Sequence, residues 1–390
     1  MNTYSRPRQI KATRRSLLRG MSLIETMVGM VIGILVTLII AQVWGNFENQ
    51  KQRTVSGSSA QTSGLLALTG LEQDIRSAGG GLANSPAFAC TNTYSYYEAG
   101  GNVVSPIPAY ASTPASGSLT MVPVTITDGG AGSDALTVKR GSDLLGGIAA
   151  ASVASMPATS SVVDVSSTAG FADDDMILVV ESGTGNCMLM RLTQVMPGPK
   201  KLQFNPGGPT SYNPGNTFRT DNGWPSFSTG AEVVKVGQLI SRSYTVNNSN
   251  TLVLTDSTVP GTPTTSVLAT DIVKIKAQYG IANVGSQDVN AWVNATALTG
   301  WNTLNPVSAK RIKAIRLVIV ARSAKQEAAN VTNTCTNVSG NVNNGPCAWP
   351  DSVADPAPLI DLSSDPAWRQ YRYRVYQTII PMRNVIWAGV

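Results

Sequence analysis

Residues Met21 to Trp44 form an apolar run that contains one charge, Glu25, and follows a basic segment. A helix needs about 20 apolar residues to cross a bilayer, and irregular backbone cannot cross because its polar groups would go unpaired. The run therefore predicts a membrane-spanning helix over residues 21–44. A secretory signal fits less well: its apolar region is about 7–15 residues long and ends at a small-residue site of A-x-A type, which Ala41-Gln42-Val43-Trp44 does not offer. Arg6, Arg8, Lys11, Arg14, Arg15 and Arg19 precede the run with no acid among them, which predicts that this end stays cytoplasmic and the rest faces the periplasm. Glu25 is the anomaly. A carboxylate inside a membrane helix costs about 2.5–3.5 kcal/mol on insertion scales, so it calls for a partner. Glu25, Gly29 and Gly33 recur every four residues and share one helical face, where the GxxxG spacing lets another helix approach closely.

The net charge of +6 belongs to the same segment. Residues 1–20 hold six of the 29 basic residues, leaving 23 basic against 23 acidic residues in the remainder. A neutral body argues against nucleic-acid binding. The chain has no histidine, which removes Ser-His-Asp triads and HExxH zinc sites. With no nucleophile and base in view, the chain reads as a non-enzyme that needs no cofactor. Cys90, Cys187, Cys335 and Cys347 lack CxxC spacing and histidine partners, which argues for disulfides in an oxidising compartment and against a metal site. Three connectivities are open, and proximity favours Cys335 with Cys347, leaving Cys90 with Cys187. Asp173, Asp174 and Asp175 read as a solvated turn in preference to a calcium loop, because EF-hand spacing is missing. The interleaved Tyr371, Arg372, Tyr373 and Arg374 read as a strand with tyrosines inward and arginines outward, in preference to a stacking platform for single-stranded nucleic acid.

Beyond the membrane run, Leu65, Leu68, Leu71 and Ile75 keep helical spacing until Gly79-Gly80-Gly81, so one helix is expected from Met21 to about Ala78. Its weak stretch is the polar TVSGSSAQTSG from Thr54. After Gly81 short β-prone runs alternate with Gly, Pro, Asn and Asp clusters. The clearest are Leu119–Thr127, Ala135–Arg140, Met176–Val180, Met188–Val195, Glu232–Val246, Thr251–Leu254, Ile272–Tyr279, Ile312–Ala321 and Tyr371–Pro381. DVNAWVNA from Asp288 is the best candidate for a short helix. The fold class is α+β: a long amino-terminal membrane-spanning helix (21–78) ahead of a large antiparallel β-rich domain (79–390).

LLRG followed by MSLIETMVGMVIG resembles the processing site of type IV prepilins. LEQDIRSAGG from Leu71, SDALTVKRG from Ser133 and YRYRVYQTIIPMRNVIW from Tyr371 are similar to minor pilins of the PilW kind. The resemblance implies a pilin-like fold with a leader over residues 1–20, cut after Gly20 by a prepilin peptidase, and N-methylation of Met21. It implies that Glu25 pairs with the terminal amine of a neighbouring subunit. The implied partners are the peptidase, other minor pilins, the major pilin, the inner-membrane assembly machinery and a tip adhesin. The implied role is a low-abundance, tip-located subunit that helps initiate type IV pilus assembly and serves adhesion and twitching motility. Such a subunit waits as a single-pass inner-membrane protein with a periplasmic body, then moves to the pilus and cell surface. A J-type pseudopilin of type II secretion shares the leader, and a filament-attached adhesin is a further alternative. Two positions depart from the pattern: Met21 stands where most pilins have phenylalanine, and Gly80 where an aromatic residue is expected.

Overall fold

The computed structural model describes residues 22–82, 90, 92–99, 102–103, 121–142, 149–181, 183–207, 210–258, 263–304, 306–338, 340–349, 355 and 357–387. The chain divides into two compact units, residues 1–55 and 56–390. Helix α1 runs from Leu23 to Ser77 and contributes to both. In the first unit its side chains are exposed all round from Ser22 to Gly45, and residues Leu23–Gly45 are long and apolar enough to cross a membrane.

In the second unit the same helix is buried along one stripe: Ala60, Gly64, Ala67, Leu71, Ile75 and Ala78. The steps of three and four residues keep these positions on one face. That stripe shares a core with two sheets. In the five-stranded sheet, Thr264–Ala269, Leu252–Asp256, Leu239–Val246, Ala135–Gly141 and Val124–Thr127 lie side by side. In the four-stranded sheet the order is Val289–Val293, Ile272–Ala282, Ile312–Arg322 and Tyr373–Pro381, all antiparallel. Strand Ile312–Arg322 is buried on both faces, with Ile315, Leu317 and Ile319 in the helix core. Its opposite face meets a second cluster, in which Val318 and Val320 pack with Trp349, Ile360, Leu362 and Trp368. The Cys335–Cys347 disulfide lies in the segment that runs toward this cover.

A third sheet joins Asn92–Tyr94, Asn186–Arg191, Met176–Val180, Glu232–Gly237 and Ala149–Ala151, with clusters on both faces. One of its pairs, Asn92–Tyr94 with Asn186–Arg191, is parallel, and the Cys90–Cys187 disulfide pins that pair.

The expected strands are present with shifted ends, and three expectations need correction. Met188–Val195 breaks after Arg191: Asn186–Arg191 belongs to the third sheet, and Gln194–Met196 pairs in a separate three-stranded one. Glu232–Val246 is not one strand: it breaks at Gly237, whose φ of +70° is left-handed backbone, and its halves enter different sheets. Residues 119 and 120 of the first expected strand lie outside the described residues, and that strand begins at Val124. The DVNAWVNA stretch is a strand, Val289–Val293, and not a helix. Its hairpin with Ile272–Ala282 lays Trp292 over Gly280, where a Cβ would fall 2.7 Å from the indole. Strand pairing across that glycine outweighs the local preference of the segment.

The polar stretch from Thr54 stays helical, and Gly64 explains part of its composition. A Cβ on Gly64 would lie 2.1 Å from Tyr376 Cε2, and the Tyr376 hydroxyl donates to the Gln61 carbonyl at 3.2 Å. Gly→Ala in a helix ordinarily stabilises by about 0.5–1 kcal/mol. Gly64→Ala is expected instead to destabilise by about 1–3 kcal/mol through overpacking. Gly57→Ala, with open space around its Cβ, is expected to be neutral or stabilising. Urea unfolding of the detergent-solubilised protein checks both; a stabilised Gly64→Ala would refute this packing account.

Candidate functional site

The amino-terminal end of α1 starts with a cap that the sequence reading missed. Ser22 precedes the first helical residue, and the Glu25 backbone N–H donates to its Oγ at 3.2 Å. Ser22-x-x-Glu25 has the spacing of a capping box, so the signal was present in the sequence. Glu25 occupies the first turn, where a negative charge complements the helix dipole. Gly29 and Gly33 have nothing within 4 Å of an added Cβ, so a smooth strip follows Glu25 along one face. Gly20 and Met21 lie outside the described residues.

The other end of α1 brings together the three stretches beginning at Leu71, Ser133 and Tyr371. Asp74, 5% exposed, accepts from Arg242 Nη1 at 3.0 Å and from the Tyr244 hydroxyl. Arg242 Nε also donates to Asp256 at 2.9 Å. Burial, reinforced by the bond to Asp74, pushes the Tyr244 hydroxyl well above the usual tyrosine range. The helix then ends on Gly79 in a left-handed conformation, φ +73°. Gly79 N–H donates to the Lys139 carbonyl at 2.9 Å, and Gly141 N–H to the Gly80 carbonyl at 2.7 Å. Asn384 Nδ2 reaches the carbonyls of Ser77 and Ala78 at 3.3 and 3.0 Å, satisfying groups that a helix terminus leaves unpaired. A second buried carboxylate, Asp134, ties the two sheets together: it accepts from Lys276 Nζ at 2.6 Å, Gly129 N–H at 3.0 Å and Ala277 N–H at 2.9 Å. Burial raises its pKa against the opposing pull of Lys276.

The remaining candidates are structural. Asp173 accepts from Val195 N–H, Asp174 pairs with Arg191 and Asp175 pairs with Lys235, so each carboxylate is engaged with the fold. Tyr371, Tyr373 and Val375 are half-buried while Arg372 and Arg374 are exposed. Arg372 pairs with Glu327. Among the described residues no group of three His, Cys, Asp or Glu side chains is placed to hold a metal ion. The two disulfides join Cys90 to Cys187 and Cys335 to Cys347, each with Cα atoms 5.5 Å apart.

Residues 239–384 match the family described as Type IV Pilus-assembly protein W, PilW. The match takes in the whole four-stranded sheet and three strands of the five-stranded one, while the stretches at Leu71 and Ser133 lie outside it. The chain thus carries a PilW-family region and is related to type IV pilus proteins. Among solved structures it is similar to a type IV-like pilin from Thermus thermophilus, at 12% identity, with 55% of this chain and 87% of that chain covered and a TM-score of 0.20. No curated protein matches.

Lys139 gives the helix-end cluster a pH signature. The residue is 7% exposed, and burial pulls its ammonium down to about 8. Between pH 8 and about 10 the unfolded chain then binds more protons at this position than the native one, so stability rises with pH across that window. Below pH 8 both states are protonated and the burial penalty is constant. Lys139→Met is expected to flatten the rise between pH 8 and 10. Denaturant melts at three pH values check this, and an unchanged slope would sink it.

Proposed function

We propose that the chain is a minor pilin: a low-abundance subunit that helps initiate type IV pilus assembly and sits near the filament tip. The observation that carries this reading is the presence, in one chain, of a PilW-family region and of an all-round apolar helix with a lone carboxylate in its first turn. An exposed helix that is apolar on every side suits two environments in turn, lipid before assembly and a bundle of like helices after it.

In this reading residues 1–20 are a leader, and a prepilin peptidase cuts after Gly20. Met21 then carries the new, methylated amino terminus. Residues 21–78 are the assembly helix, and residues 79–390 are the β-rich body, held in the periplasm until the subunit enters a filament. The new amine of one subunit and Glu25 of the next neutralise each other in an apolar surrounding where either alone would be costly. Gly29 and Gly33 let the neighbouring helix come close on the same face. The body selects its neighbours among other minor pilins, the major pilin and the assembly machinery, with a tip adhesin as a further partner. The part played by the chain is docking, not catalysis.

Three measurements test this. Gly20→Val is expected to retain residues 1–20, read by intact mass. Glu25→Ala is expected to begin at Met21 like the wild type, yet to fall about tenfold or more in sheared filaments, the loss of an ion pair in an apolar contact. Glu25→Gln keeps the hydrogen-bonding end of the side chain without its charge, and should fail like Glu25→Ala; wild-type incorporation of either variant would remove the docking role. Deletion of the protein should abolish surface pili with secretion intact. Loss of secretion with normal pili would indicate a pseudopilin, and normal pili with poor attachment an adhesin.

A further inference from the structure

At one end of the four-stranded sheet, the turn Asn283–Ser286 faces the junction between helix Pro306–Arg311 and strand Ile312–Arg322 across a cavity of about 140 Å³. Its charged lining is Lys310, Arg311 and Lys313, with no carboxylate among the lining residues. Asp288, the nearest acid on the hairpin, does not line it, and its backbone N–H is held by Ser286 Oγ at 3.2 Å.

Lys313 is the unusual member. The ladder pairs Ala314 with Gly280 and Ile312 with Ile281, so Lys313 is the extra residue of a β-bulge. Bulges re-aim a side chain at a sheet's end. Lys313 is 3% exposed, and among the described residues its ammonium has no hydrogen bond or ion pair. Burial alone lowers its pKa, with no charged group opposing it. Lys313 thus lines the cavity with most of its side chain enclosed and no counter-ion beside it among the described residues, an arrangement that disfavours the charged form. Arg311 is fixed beside it: Nε donates to the Ala282 carbonyl at 2.8 Å, and the guanidinium lies over the Trp301 ring at 5.4 Å from its centroid. Lys310 is exposed at the rim.

We propose that this cavity binds a small multivalent oxyanion of the phosphate class, with Lys313 as the inner ligand and Arg311 and Lys310 completing the charge. Three cations suit a dianion better than a single carboxylate. The volume lies below the roughly 300–1,000 Å³ of pockets that take drug-sized ligands. The site is independent of Glu25 and of the filament reading.

The test uses the full-length chain in detergent, titrated calorimetrically with inorganic phosphate against chloride of equal ionic strength. One saturable site is expected. Lys313→Met should weaken it about tenfold or more, the loss of one hydrogen bond to a charged group, while melting no lower than wild type in phosphate-free buffer. Lys310→Ser, a rim substitution, should weaken binding by a few-fold and guards against a folding defect in Lys313→Met. Glycerol 3-phosphate distinguishes the sources: binding at the same site points to a phosphate carried on a larger molecule, and exclusion of the ester points to the free ion. Absence of saturable binding to either probe, or equal binding by wild type and Lys313→Met, would overturn the proposal.

Discussion

The buried carboxylate of Asp74 decides where α1 rests on its sheets. The stripe that the helix presents there is Ala60, Gly64, Ala67, Leu71, Ile75 and Ala78. Such a stripe supplies attraction but direction at only one point, Gly64 against Tyr376, because elsewhere small side chains and two branched ones pack almost as well after a one-turn slide. Directional bonds remove that freedom. Asp74 must meet both Arg242 and Tyr244, and Gly79 must meet the Lys139 carbonyl, in the same placement of the helix. A slide of one turn, about 5.4 Å, would strand a buried carboxylate without its donors. That penalty is larger than any single contact in the stripe. Asn384 then closes the end of the helix from the last short helix, so strand Tyr373–Pro381 and α1 hold one another in place.

Much of this was legible in the sequence, for identifiable reasons. Runs such as Met176–Val180 and Ile312–Arg322 are dense in β-branched or large apolar residues because they are buried on both faces. The apolar helix over Leu23–Gly45 needed nothing beyond its length and apolarity. Tyr373 to Val375 alternated correctly because one face lies against the Trp368 cluster, although the strand begins at Tyr373 and not at Tyr371. Asp288 to Ala295 was misread because its deciding partner, Gly280, is distant in sequence, and the segment alone shows neither strand nor helix period strongly. Ser22 was overlooked although its capping spacing was plain. Buried cations carried no signal of any kind. Arg219 is fully enclosed, its Nε donating to the Pro214 carbonyl and Nη1 to the Ser160 carbonyl, and its ring contacts are Phe204 and Trp224. No local pattern marks such a residue as core.

The stretches at Leu71, Ser133 and Tyr371 carried the family resemblance as separate strings of letters. In the fold they are one object, the carboxyl-terminal seat of α1. Their specificity is therefore structural: Gly79 for its left-handed backbone, Asp74 for its two donors, Asn384 for two terminal carbonyls. The matched region, residues 239–384, contributes the four-stranded sheet, three strands of the five-stranded one and the Asn384 cap, and the stretches at Leu71 and Ser133 complete the seat from outside it.

The two ends of α1 handle a carboxylate in opposite ways. Asp74 is satisfied within its own chain, so it fixes internal geometry. Glu25 has a different position: among the described residues its side chain is exposed, in a segment apolar on all sides. Two features reduce the cost of holding a carboxylate there. The first turn places it against the positive end of the helix dipole, and Ser22 satisfies the Glu25 backbone N–H. The dipole contributes only about 0.3–1 kcal/mol, and the Ser22 cap is indifferent to the charge of residue 25. In the proposed docking role the charge itself matters, because only a charge gains strongly from meeting an amine after both have left water. The first turn is then the position in a membrane helix where a carboxylate can wait at least cost and still lie within reach of a neighbour's terminus.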